Sequence, residues 1–438
     1  MNLYMNYKNS IYKYFNLKLD EINQLTIWII YLFFISVIVV ASCIFCNLFA
    51  ERFNYIVDEN FNLNLKDISF HHGPLIYNLL YNGIFQQEYL GVNFVLLKMP
   101  ILPLLIFSLA KISTNFYFIV ITKNILLFSF LFFIIFISLK SLKKEIKYFL
   151  VFLFLILYNP YNLFTSLNFQ YEEFLIIILL PSTFCLLVSN LSNRYIYLSF
   201  IIFFLYLSKN SMFLLTCALP MLIIFYEQSE KQRRKKIFPL IGVLFAILVW
   251  GGFGFMKTGK FPFGASLTSI NSNALSVAFN KEFHKYYPKK SVDLLKDQYM
   301  IPKNIKKEWD LYDYFKEKNK NYLKNNKEQI IKDGFIKLKF IFFGIFRDGA
   351  HPDKEGKFDN STRFSNIPNK IFINLSLLIS ITILLLKIKN FFSLKEDFYF
   401  LSIFGLNIFT HLVAWATSKH LVAISIICSF YLILKIKD

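Results

Sequence analysis

Long apolar runs separated by short polar breaks set the pattern of this chain. They fall at about 25–48, 116–139, 147–159, 173–190, 195–208, 212–226, 237–253, 369–386, 397–416 and 421–434. A hydrocarbon layer about 30 Å thick takes roughly 20 apolar residues of helix. Lipid offers no partner to an unpaired backbone N–H or C=O, so such runs predict a bundle of helices. The expected fold is an all-α polytopic membrane protein of about ten transmembrane helices. Composition agrees: with 438 residues, 56% of them hydrophobic, and 54 Phe, the chain has more apolar surface than one soluble core could hide.

One stretch does not fit the simple pattern. "FNLNLKDISFHHGPLIYNLLYNGIFQQEYLGVNFVLLKMPILPLLIFSLAK", residues 61–111, follows the first run and places an acid, two histidines and a lysine among apolar segments. If residues 70–83 and 97–112 were both spans, every later loop would be inverted, so they are read as helices lying at the outer surface.

Charge fixes the orientation. Lys and Arg in short loops stay on the cytoplasmic side. With both termini cytoplasmic and residues 50–115 outside, eighteen basic residues fall in inner segments, among them "KSLKKEIK" at 140–147, Arg194 and "KQRRKK" at 231–236. Only Lys209 and Lys419 fall in short outer turns. The net charge of +20 is thus explained by topology in an inner (plasma) membrane rather than by nucleic acid. A long outer segment, 254–368, holds 22 basic and 13 acidic residues and is exempt from the short-loop bias. Its "DLYDYFKEKNKNYLKNNKEQIIKDGFIKLKFIFFGIF" reads as a charged helix leading into an amphipathic one at 334–346 that rests on the bilayer. The chain then divides into a transmembrane catalytic module, 1–253, with its outer loop 50–115, the extracytoplasmic loop 254–368, and C-terminal helices 369–438. All five cysteines lie in apolar runs and read as small hydrophobes, "CIFC" at 43–46 included.

Ionisable residues at a membrane surface carry the candidate chemistry. Asp67 reads either as a carboxylate that takes a proton from an attacking hydroxyl or as a loop acid. Asp58 and Glu59 are weaker candidates for the same place. Lys98, before "MPILPLL", and Lys209, in "LYLSKNSMFLL", can each bind phosphate as a point charge, or else snorkel or face water. Glu172 and Glu173 stand at the mouth of a span, where a helix N-terminus favours acids; the sharper reading sets a second carboxylate opposite Asp67. His71 and His72 read as interfacial side chains, Lys419 and His420 as positive charge on the last outer turn, and His411 as core. No His/Asp cluster completes a metal site.

The order of these elements resembles the GT-C class of membrane glycosyltransferases, in particular the bacterial relatives of dolichyl-phosphate-mannose protein mannosyltransferases and the lipid A aminoarabinose transferases. The matching features are Asp67 about a dozen residues before Leu79-Leu80, Lys98 in "KMPILPLLIF", Pro160 followed by Glu172, the basic turn at Lys209, "WGGFGFMKTGKFPFGASLTSINSN" at 250–273, and the closing "SKHL". The resemblance implies a GT-C-like bundle and transfer of a sugar from a polyprenyl-phosphate donor to a lipid, glycan or protein acceptor of the cell envelope. Asp67 and Glu172 would be catalytic. Lys98, Lys209, His71, His72, Glu173, Lys419 and His420 would bind substrate. No cofactor is named, and a divalent metal is left open. A polysaccharide polymerase or ligase, or a lipid-linked sugar flippase, are the alternative readings. The first usually carries arginines in its large loop, where this chain has only Arg347 and Arg363. The second needs charge within its spans, where this chain has little beyond Lys123 and His411.

Overall fold

The computed structural model describes residues 15–50, 58, 60–63, 72–89, 91–158, 172–227, 234–264, 304–343, 375, 377–382, 385, 394–413 and 421–435. The described chain is mostly helical. In order come α1 (Gln24–Ala50), α2 (Gly73–Tyr77), β1 (Gln87–Tyr89), β2 (Val92–Phe94), α3 (Ile101–Ala110), α4 (Phe116–Ser141), α5 (Ile146–Tyr158), α6 (Glu173–Val188) and α7 (Arg194–Ser208). They are followed by α8 (Phe213–Tyr226), α9 (Phe238–Thr258), α10 (Glu308–Asn325), α11 (Lys327–Phe343), α12 (Lys395–Val413) and α13 (Val422–Lys435). Nine of the ten predicted runs coincide with described helices to within a few residues, and helical residues 377–382 lie inside the tenth.

By length and composition three helices can cross a membrane: Gln24–Ile44, Phe116–Ser141 and Lys235–Thr258. The other apolar helices are shorter, down to the 10 residues of α3. Helix α6 is central, and every one of its residues is buried. It packs against α4, α7, α12 and α13. Aromatic rings fill the spaces between helices, with Phe184 edge-on to Phe430 and Phe400 stacked on Tyr431.

The bundle has two distinct ends. At one, the chain before α1 pairs with the α4–α5 turn, Leu19 N–H donating to Lys144 O at 3.1 Å and Ile146 N–H to Leu17 O at 3.0 Å. At the other, the chain after α1 pairs with the start of α4, Leu63 N–H donating to Thr114 O at 2.9 Å and Phe116 N–H to Phe61 O at 2.8 Å. Both polar segments expected on the outer side meet at this second end. Val92, Phe94 and Leu97 form one apolar cluster with Leu311 and Phe315 of α10. Trp309 donates to Thr258 Oγ1 at 2.8 Å. Helix α9 stops at Gly259, in the left-handed region at φ 74°, and the chain folds back so closely that Phe261 and Pro262 occupy the space a Cβ would need at Gly251 and Gly254.

The described chain agrees with an all-α fold, with one small addition: β1 and β2 form an antiparallel hairpin, Gln87 opposite Phe94, turning at Gly91 with φ 76°. Two expectations need correction. The segment 97–112 is not one helix, because residues 95–100 bend and α3 begins after Pro100. A proline keeps the residue before it out of the α region, so the helix starts beyond it. In the long polar segment the break between helices falls at Asn326 rather than at 333, and the second helix spans Lys327–Phe343.

Candidate functional site

Five of the charged residues singled out in the sequence meet at the second end of the bundle, around the start of α6. The two acids there were open to a bland reading as helix N-terminal carboxylates. The position agrees, with Glu173 in the first turn of α6, but each side chain also has a partner of its own. Glu172 occupies the N-cap position yet its side chain accepts no capping hydrogen bond. Instead its Oε1 lies 3.2 Å from His72 Nε2. Glu173 turns the other way and accepts a 2.6 Å hydrogen bond from Lys209 Nζ.

His72 precedes α2 and is held by the Ile76 N–H, which donates to its carbonyl at 2.9 Å. It is fully buried, so the expectation of an interfacial side chain is corrected. Neither ring nitrogen makes an aligned hydrogen bond among the described residues. Burial, and then the Lys98 charge, push the imidazole below its ordinary pKa despite the neighbouring carboxylates. Burial alone would raise Glu172, but Lys98, His72 and Lys209 outweigh it and hold the carboxyl below the usual range. At neutral pH the pair is therefore a carboxylate beside a neutral imidazole.

Lys98 is positioned from outside its own segment. Leu96, Leu97 and Met99 around it are buried, and buried Glu308 at the start of α10 accepts from the Val95 and Leu96 N–H groups at 3.2 and 3.0 Å. Lys98 itself is half-buried, and it forms no hydrogen bond or ion pair among the described residues. Lys209, by contrast, is committed to Glu173. Glu308→Gln is expected to weaken the two charge-assisted bonds by about 1.5–3 kcal/mol in total and to loosen the Lys98 bend. Faster amide hydrogen exchange across 92–98 in the variant would show it; unchanged protection there would refute this account of how Lys98 is held.

Asp58 is occupied locally: its Oδ1 accepts from the Asn60 and Asn62 N–H groups at 2.9 and 2.8 Å, an acid closing its own turn. Asp67, His71, Glu59, Lys419 and His420 lie outside the described residues. Sequence reasoning assigned His411 to the core. It is buried, but it also lines a pocket with Glu173, Lys209, Ser211 and Asn407, so it belongs beside the site. Its i,i+4 relation to Asn407 on α12 was the available signal. Among the described residues no three His, Cys, Asp or Glu side chains gather as a metal-ion site.

Comparison of the chain with known protein families, with characterised proteins and with solved structures finds no match. What the site can do is therefore read from its own chemistry. It offers the Lys98 ammonium, held by no hydrogen bond or ion pair among the described residues and able to meet an anion, and next to it a buried carboxylate–imidazole pair able to accept a proton.

Proposed function

We propose that the chain is a polytopic membrane glycosyltransferase that moves a sugar from a polyprenyl-phosphate donor to a hydroxyl of a cell-envelope acceptor. In this reading all ten runs cross or enter the bilayer and the His72 end of the bundle faces outward. The apolar helices would receive the lipid tail, and the site would meet the phosphate where such a lipid emerges. The observation that carries the proposal is Lys98: it has no ion pair among the described residues, and it stands beside Glu172 and His72, which can take up a proton.

The reaction balances on these groups. The acceptor oxygen forms a bond to the anomeric carbon as that carbon's bond to the phosphate oxygen breaks. The electron pair leaves on the phosphate, where Lys98 offsets the growing charge. The acceptor proton passes to the His72–Glu172 pair. A phosphate monoester anion is already a stabilised leaving group, so no acid need protonate it. Asp67, the acid to which the GT-C resemblance assigns catalysis, would add a second carboxylate. The sugar and the acceptor are not specified by these residues.

Lys98→Ala is expected to weaken binding of undecaprenyl phosphate by about ten- to a hundred-fold, the loss of one charge-assisted contact. Titration of the purified variant in lipid nanodiscs tests it, and affinity equal to wild type would refute the phosphate assignment. Mass analysis of envelope lipids and glycans from cells with and without the protein would identify the product. An unchanged profile in every envelope fraction would count against sugar transfer altogether.

A further inference from the structure

A pocket on the far side of the Glu172–Glu173 step is not used by the phosphate or by the proton-accepting pair. It lies between the start of α6, the α7–α8 turn, α12 and α13, and Glu173, Lys209, Ser211, Asn407 and His411 supply its polar lining. Asn407 is 1% exposed, yet both its Oδ1 and its Nδ2 are without a hydrogen-bond partner among the described residues. The Ser211 Oγ is buried and without one as well. An amide can donate twice and accept twice, and leaving all of that unused in a buried place is costly unless something enters to use it.

The chemistry of the lining narrows the occupant. Glu173 and Lys209 are tied to each other at 2.6 Å, so the pocket presents a cancelled pair of charges rather than a bare cation or anion. An amide and a hydroxyl each donate and accept. The matching ligand group is neutral and does both. Size narrows it further: the enclosed part of the pocket is small and suits a single polar substituent of a ligand. The wall it shares with the site is the acid pair itself, because Lys209 acts on Glu172 as well as on Glu173.

We propose that Asn407 and Ser211 form a specificity pocket that receives one hydroxyl of the transferred sugar. The inference rests on the glycosyltransferase reading and adds to it the residues that distinguish one sugar from another. A site built to hydrogen-bond a hydroxyl rejects a substrate lacking it, because its buried polar groups then stay unpaired.

The test measures binding to wild type, Asn407→Leu and Ser211→Ala in nanodiscs. The probes are undecaprenyl phosphate and a set of undecaprenyl-phosphate hexoses with their monodeoxy forms. In wild type at least one sugar-bearing lipid should bind about tenfold or more tighter than the bare lipid phosphate, and removal of one particular hydroxyl should abolish that gain. In both variants the gain should shrink to near one while affinity for undecaprenyl phosphate holds. Asn407→Leu should melt at the same temperature as wild type or higher, since it replaces an unpartnered amide by an apolar group of similar size. A sugar preference retained in both variants would overturn the pocket assignment. So would a lowered melting temperature in Asn407→Leu with the preference intact, which marks a structural water site. Wild type that binds undecaprenyl phosphate without preferring any hexose would overturn the pocket alone. Wild type that binds none of the lipids would overturn the donor reading and the pocket with it.

Discussion

In the proposed sugar transfer, Glu172→Gln is expected to slow the reaction by about 100-fold or more while leaving affinity for undecaprenyl phosphate within a few-fold of wild type. The amide keeps the shape of the side chain beside His72 Nε2 but removes the negative charge that stabilises an imidazolium. A neutral partner leaves the imidazole a poorer proton acceptor, since burial already disfavours its charged form. His72→Phe should fall by a similar factor, and the double variant should be little worse than either single one, because the two residues act as a unit. Additive losses in the double variant would mean that the residues serve separate steps. Full activity in Glu172→Gln would place the base elsewhere, with Asp67 the first acid to test.

The same pair sets a pH dependence of definite sign. Both groups are held below their ordinary pKa values, so protons bind the unfolded chain more readily than the folded one. The stability they contribute is then present above the unfolded values and is lost as the pH falls toward the folded ones. Transfer should hold its rate as the pH drops through about 6.5, the ordinary value for histidine, and decline only below it. A wild-type rate that begins to fall above pH 7 would contradict a depressed His72. The stability arm has its own control, since acidification from pH 7 to 5 should destabilise wild type more than it destabilises His72→Phe.

Run length carried most of the fold. A span is read from the sum of apolar residues and needs no long-range information, so the ends of α4, α6 and α7 were found within a residue or two. The hairpin at Gln87–Phe94 was missed because each strand is 3 residues long, too short for an alternation to register. Lys98, Lys209, Glu172 and Glu173 were legible as charges out of keeping with their apolar surroundings. Which partner each would take was not, since Lys209 meets Glu173 across 36 positions and Glu308 reaches Leu96 across 212. His72 was legible as a candidate but not as a buried one, and Asn407 was not legible at all. Only tertiary packing leaves both buried with polar atoms unsatisfied.

The largest structural effect is expected at the opposite end of the bundle, where the sequence offered only a count of positive charges. Arg194, one of the residues that voted for orientation, is in fact buried and paired with Glu227. Glu227 also accepts hydrogen bonds from Tyr195, and from Tyr399 of α12 at 2.7 Å. Arg194 donates in turn to Ser189 O at 2.7 Å and Leu187 O at 3.3 Å, and Lys395 donates to Ser189 O at 2.7 Å and Val188 O at 3.1 Å. The Arg194 guanidinium and the Lys395 amino group thus close the C-terminal end of α6 by donating to its orphan carbonyls, and Glu227 holds the arginine in place. Glu227→Ala should therefore cost about 3–5 kcal/mol, because it leaves Arg194 buried without its counter-charge. Tyr399→Phe removes one hydrogen bond and should cost about 0.5–1.5 kcal/mol. Since α6 carries Glu172 and Glu173 at its other end, transfer by Glu227→Ala should fall only as far as its folded fraction falls. Denaturant unfolding run in parallel with activity measures both. A Glu227→Ala protein as stable as wild type would show that the network contributes no net stability. Full stability with lost transfer would instead show that this end of the bundle acts on the site directly.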